Sequence, residues 1–463
     1  MLLRLLLAVP ILFMPNMLHF AFDTGVPGLN IANIVFLLVV GVLVISGRKN
    51  KPDEKWGQLT PPLFFLYAVL LIGFVLAQVT SPTSFMEDFT YLKNAIFYTL
   101  LYFVYRHCGQ DLKGTRQLII LVMVVAAIAG VEAIREGLDY GIGRYSETRR
   151  ASGPFGVDYR DANRAGVFYA MFLPMFIAMA LFFKGQKFWR AAALVGCAIL
   201  AIAIMVTYSR QSYLIALVGL SLLLLRRNVL LAGIIALLML PAMSLLPASV
   251  TQRVAETEQK DAVGAEQLDV STASRFDIWA GGLQMWQEHP AGVGLNRFPH
   301  FIGTYTPAYK GYDAHNIYVR TLAEYGPLGI AALLWLLWRM LKLGLVIRRS
   351  APPADTEAKA LGIGFTVAVI CMALGNMYGS PFFEGPVMAN FWALCGLMEH
   401  YASLKRQARS DSGPTQSAQD QQDLNSMGAR FPLASRAQPG RYAPAPAPSA
   451  YVDHGEAGVR GSR

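Results

Sequence analysis

An imidazole at His315 and guanidinium groups at Arg210 and Arg275 are the side chains best suited to reactive chemistry in this chain. His315 lies in Asp-Ala-His-Asn-Ile-Tyr (313–318), directly ahead of an apolar run that reads as a membrane span. Histidine accepts a proton from a hydroxyl near neutral pH; its other common role at a helix start is as a structural hydrogen-bond donor. Arg210 opens Arg-Gln-Ser-Tyr-Leu between two apolar runs. A guanidinium at a bilayer end is costly and takes a partner, and its planar fork matches phosphate or carboxylate. The alternative is snorkelling to lipid headgroups. Arg275 is expected to open a helix over 274–290, capped by Ser274 or Thr272. A cation is the wrong charge for that end of the macrodipole, which points to an anion shared with the helix end. An ion pair with Asp277 or Asp269 is the competing explanation.

The stretch "GRYSETRRASGPFGVDYRDANRAG" (143–166) adds Arg150, Arg160, Asn163 and Arg164 as candidate substrate contacts, and Tyr213 and Asn316 adjoin the two motifs. Asp158 and Asp161 are weak evidence of paired-acid chemistry. No outer-side His or carboxylate cluster has metal-ligand spacing, and no glycine loop with lysine is present. Neither metal nor other cofactor is expected, and ATP is not expected as a substrate.

The elements that must position these residues are membrane helices. The chain of 463 residues is 54% hydrophobic and only 15% charged, where soluble domains carry about a quarter charged residues. Apolar stretches predict an all-α polytopic protein of about twelve spans, near 3–21, 30–47, 61–79, 90–106, 116–134, 165–184, 188–207, 211–226, 228–247, 316–345, 361–379 and 387–402. Basic residues gather in alternate loops, which places both termini in the cytoplasm. Three segments keep arginines on the outer side: 143–166, 207–214 and 248–314. Translocated loops tolerate such charges, but all three share the face that carries His315. The net charge of +10 follows from this topology; no basic stretch interleaved with aromatics suggests nucleic-acid binding.

Four divisions follow: membrane spans over 1–247, a partly helical outer segment over 248–314, further spans over 315–402, and a disordered cytoplasmic tail over 403–463 rich in Gln, Ser, Ala and Pro. Within 248–314, two tryptophans and helical apolar spacing predict an amphipathic helix in the interface plane. Cys108, Cys197, Cys371 and Cys395 lie in or beside apolar runs and read as core residues rather than disulfides.

His315-Asn316, nine residues, then Gly326-Pro-Leu-Gly329 resembles the His-Asn-x9-Gly-x-x-Gly signature of bacterial O-antigen ligases. Arg210-x-x-x-Leu214 is similar to a second motif of the O-antigen ligase and polymerase superfamily. "SRFDIWAGGLQMWQEHPAGVGLNRF" and "RRASGPFGVDYRDANRAG" resemble its outer-loop block and the stretch before its middle spans. The resemblance covers about 145–330. It implies a GT-C-like glycosyltransferase of the bacterial inner membrane. Such an enzyme moves a glycan from an undecaprenyl-diphosphate-linked donor to lipid A–core on the periplasmic side, without metal. It also implies that His315 is the general base and that Arg210 and Arg275 hold the diphosphate. A polymerase or a protein O-oligosaccharyltransferase using the same donor is the alternative. A lipid-glycan flippase fits less well, because the arginines cluster at one face rather than along the spans.

Overall fold

Alanine, phenylalanine, methionine and leucine surround the helix over 162–182 on every side, so protein or lipid must enclose it. The computed structural model describes residues 2–17, 31–45, 57–141, 146, 148–156, 161–242, 258–260, 266–268 and 270–411. In it, protein does the enclosing. The described helices before the outer segment are α1 (Leu2–Phe13), α2 (Ile31–Ile45), α3 (Thr60–Thr80), α4 (Phe85–Phe97), α5 (Leu100–Arg106), α6 (Leu112–Tyr140), α7 (Ala162–Phe182), α8 (Lys187–Val206), α9 (Arg210–Arg227) and α10 (Val229–Ala242). After them come α11 (Val270–Glu288), α12 (Phe298–Tyr305), α13 (Ile317–Arg349), α14 (Thr356–Gly375) and α15 (Gly385–Asp411). Helix α7 packs against α6, α8, α9 and α14, and α13 packs against α3, α11 and α14.

Six of these helices are long and apolar enough to cross a membrane: α3, α6, α7, α8, α13 and α14. Their outward faces remain apolar, with Ile72, Val75 and Val79 on α3, Leu194 and Val195 on α8, and Leu334 and Trp338 on α13 all exposed. Surface of that kind is stable against lipid rather than water. The chain is a helical membrane protein. Helices α1, α2, α9, α10 and α15 stand where further spans are expected, but they are shorter or carry more charge.

The structure departs from the sequence expectations at several elements. The apolar run over 90–106 is divided between α4 and α5 at Tyr98 and Thr99. There the Thr99 hydroxyl donates to the Ile96 carbonyl at 2.6 Å and meets the Tyr67 hydroxyl, a side-chain competition that loosens the helix. Helix α11 starts at Val270, so neither Thr272 nor Ser274 caps it, and Arg275 stands in its second turn rather than at its mouth. Its apolar residues do not share one face: Ile278 and Met285 are buried while Phe276 and Leu283 are exposed. Ahead of it, β1 (Glu258–Lys260) and β2 (Glu266–Leu268) pair antiparallel, a small exception to the all-helical expectation. Helix α15 continues to Asp411, beyond the boundary expected at 402. Residues 412–463, the rest of the expected tail, lie outside the described residues. The described residues up to Arg409 form one compact unit. All four cysteines are free, three of them buried.

The bundle end opposite His315 is locked by buried charge. Glu399 accepts from Arg106 Nε at 3.0 Å, the Tyr102 hydroxyl at 2.7 Å and the Gln58 amide at 2.8 Å. These bonds tie α5 and α15 to the start of α3.

Candidate active site at one end of the helix bundle

The backbone ahead of α13 sets the site. Asn316 is its N-cap, and its side-chain oxygen accepts from the Tyr318 and Val319 amides at 2.9 and 3.2 Å. Asn316 is buried and its oxygen is committed to that cap, while His315 next to it is exposed and left-handed, with φ 49°. The turn holds because the His315 amide donates to Asp313 Oδ2 at 3.1 Å. The other Asp313 oxygen accepts from Arg320 at 2.8 Å, and Arg320 continues to Glu324 and Asn296. Tyr208 and Asn296 are also left-handed; with His315 they are the non-glycine residues of positive φ among those described, and all lie at this end. Strained backbone of this kind concentrates at functional sites.

The charges around His315 fix its protonation. Burial of the ring, the largest influence, lowers its pKa below the ordinary value even though the residue opens to the exterior. Asp313 opposes that shift, and Arg275 and Arg164 add to it. The imidazole is therefore neutral and able to take a proton near pH 7. Burial alone would push the Asp313 carboxyl up, but Arg320 and His315 hold it below the usual range. Across from them Glu384 is raised to about 7, by burial first and by Asp313 and Asp161, against the pull of Arg164 and Arg320. Arg164 bridges Glu384 at 3.1 Å and Asp161 at 3.0 Å.

The remaining candidates reach the same end by different routes. Arg210 begins α9, half-buried, and Gln211 beside it donates to the Gly375 carbonyl at 2.6 Å. The Ile317 amide donates to Asn376 at 2.9 Å, so the α9 and α13 starts meet on the last turn of α14. The Tyr213 hydroxyl donates to the Met205 carbonyl at 2.9 Å. Arg150 is buried, with Nε on the Thr207 carbonyl at 2.9 Å and its fork on Asn163 Oδ1 at 2.6 Å. That pair fastens the segment over 148–156 to the α8–α9 junction. Arg160 lies outside the described residues. Among the described residues no group of three or more His, Cys, Asp or Glu side chains could hold a metal ion.

Several residues without a sequence signal hold this geometry. Gly292 and Gly294 have φ of 93° and 96°, and a Cβ on Gly294 would stand 2.8 Å from Ala77. The loop threads between α3 and α13, with Gly294 donating to the Glu324 carbonyl and Leu295 to that of Gly73, each at 2.9 Å. Arg297 then grips Asp88 with both fork nitrogens at 2.8 and 2.6 Å, both side chains fully buried. In sequence the glycines of "GVGLNRF" match no phosphate-loop motif. Their paired positive φ values come from an approach of three distant elements.

Fold and site together define a polytopic helical membrane protein with a neutral imidazole and several guanidinium groups gathered at one end of the bundle. Residues 195–336 match the family described as O-antigen ligase, which supports membership of the O-antigen ligase superfamily. The matched stretch runs from within α8 into α13 and includes Arg210, Tyr213, Arg275, His315 and Asn316. Arg150, Asn163, Arg164 and Glu384 lie outside it. No curated protein matches the sequence.

Proposed function

We propose that the protein is an O-antigen ligase of the bacterial inner membrane, transferring polysaccharide from undecaprenyl diphosphate to a sugar hydroxyl of lipid A–core. The observation that carries this reading is the exposed, neutral His315 with Arg275 and Arg164 in electrostatic reach. In the reaction, His315 takes the proton of the acceptor hydroxyl as its oxygen attacks the anomeric carbon. The bond from that carbon to the diphosphate oxygen breaks, and the leaving diphosphate takes the electron pair. Arg210 and Arg275 neutralise the charge that develops there, a task for preorganised cations. Arg164, exposed beside Glu384, is a further phosphate contact. In this reading the step is metal-independent, because guanidinium groups supply the positive charge. Arg150, Asn163, Tyr213 and Asn316 shape the site through the backbone they hold, and Arg160 is proposed as a substrate contact on its sequence position alone.

The architecture we propose is GT-C-like with about twelve spans, the His315 end periplasmic and both termini cytoplasmic. A polymerase or a protein O-oligosaccharyltransferase would use the same donor chemistry with another acceptor. Deleting the gene and resolving the cell's lipopolysaccharide on a gel separates them. Loss of long O-chains with polymer accumulating on the lipid carrier is expected for a ligase. Lipopolysaccharide carrying single repeats would instead mean a polymerase, and unchanged lipopolysaccharide would reject both.

A further inference from the structure

Helix α11 divides its side chains between two sites. Arg275 and Trp279, one turn apart, serve the first: Arg275 acts on His315, and Trp279 Nε1 donates to the Ala314 carbonyl at 2.9 Å. Asp277, Gly281 and Gln284 recur at helical spacing on another face and line a separate open cleft of about 390 Å3. Tyr305, Thr306 and Tyr309 form its other wall. Gly281 sets how closely the walls approach, since a Cβ there would lie 3.1 Å from both Ile302 and Thr306.

The cleft is chemically unlike the His315 site. Its lining holds a carboxylate, an amide, hydroxyls and aromatic rings, and no Lys or Arg. The Tyr309 hydroxyl donates to Asp277 Oδ2 at 3.3 Å, and that of Tyr305 to Glu288 at 2.8 Å, which fixes both rings. Tyr309 stands edge-on to Tyr312 at 5.8 Å, and Tyr312 is 52% exposed. Tyr312 immediately precedes Asp313, so this second ring stands on the segment that carries His315. Such a surface repels phosphate and suits a neutral, hydroxyl-rich molecule: pyranose C–H faces pack on tyrosine rings, and ring hydroxyls donate to carboxylate and amide oxygens. The volume lies within the range of about 300–1,000 Å3 common for small-molecule sites.

We propose that this cleft is a glycan-binding subsite, holding sugar units of a substrate away from the bond being made. The inference rests on the glycan-transfer reading above and adds to it where the sugars lie. The glycan can belong to the donor polymer or to the acceptor core, and the test separates these sources. Full-length protein in lipid nanodiscs is assayed for transfer while donor and acceptor are varied in turn, with Tyr309→Ala, Asp277→Asn and His315→Ala compared with the unsubstituted chain. Size exclusion and thermal melting check that each variant is folded. A KM raised about tenfold in Tyr309→Ala, with kcat held within about twofold, is expected for one of the two substrates. The substrate affected identifies the source, and Tyr309→Phe, which keeps the ring, recovers most of the loss. Unchanged KM for both, or a fall in kcat alone, overturns the proposal while transfer by the unsubstituted chain and its loss in His315→Ala leave the ligase reading standing. Calorimetric titration with lipid-free O-polysaccharide and lipid-free core oligosaccharide tests the cleft even if no transfer occurs. Equal binding of both probes by the unsubstituted chain and Tyr309→Ala overturns it; weaker binding of one probe by the variant supports it.

Discussion

At the scale of single residues, the chemistry turns on which group around His315 carries a proton. Replacing the imidazole removes the group that accepts the hydroxyl proton in the proposed step. His315→Ala should therefore lower transfer by about 10²–10⁴-fold while membrane insertion stays normal, read by a transfer assay on purified protein beside a melting curve. Full activity in that variant would remove His315 as the base. The pH dependence has a definite sign. The depressed pKa of His315 keeps the base form populated below the ordinary histidine value, so activity falls only as pH drops through that lower value. Arg275 lowers the pKa, so Arg275→Gln moves the acid limb of the pH–rate profile to higher pH. Asp313 raises it, so Asp313→Asn moves the limb to lower pH. The opposite shift in either variant, or none, would mean that another group titrates in that limb.

At the scale of elements, the glycines of the signature are structural. Helix α13 breaks at Gly326, with φ 62° and ψ −159°, and Pro327 follows. A Cβ on Gly326 would stand 2.5 Å from the Pro290 carbonyl oxygen. The break lets residues 317–325 lean away from the membrane-crossing part of α13 and present Asn316 and His315 beside the loop at 290–298. Gly326→Ala faces a left-handed backbone cost on the order of 1–2 kcal/mol as well as the clash. A lowered melting temperature with reduced transfer is the expected result, and an unchanged melt would show that the kink is not needed. The buried Arg297–Asp88 pair bolts the outer segment to α4. Arg297→Met leaves a buried carboxylate uncompensated, a loss of about 3–5 kcal/mol, whereas Arg297→Met with Asp88→Leu should recover part of it. Melting of the two variants decides this; equal melting temperatures would mean that the pair carries no coupling.

At the scale of the whole molecule, the proposal needs the His315 end and the Arg106–Glu399 end to face opposite sides of the membrane. Thr304 on α12 and Ala354 between α13 and α14 are both exposed, one at each end. A cysteine at Thr304 should react with a membrane-impermeant maleimide in intact spheroplasts. One at Ala354 should react only after permeabilisation. The reverse pattern would place the active end in the cytoplasm and end the reading of a periplasmic ligase. The native cysteines leave this assay usable, since three are buried and all lie in or beside membrane helices.

What the sequence determined by itself follows from local physics. Apolar runs of bilayer length can be read without knowing their neighbours, so α3, α6, α7, α8 and α14 fall close to the expected ranges. His315, Arg210 and Arg275 stood out because charge at the edge of an apolar run is costly wherever the helix packs. Other features depended on contacts between residues far apart in the chain. Arg297 finds Asp88 across more than two hundred positions, and Glu384 reaches Arg164 from beyond the last turn of α14. Arg150 and Asn163 bond each other and the α8–α9 junction, a structural bond that no local spacing could distinguish from a phosphate contact. Hydropathy is summed along the chain, and so it is legible in the sequence. Hydrogen-bond partners and the pKa values they set depend on distance in three dimensions, and only the packed helices supply those distances.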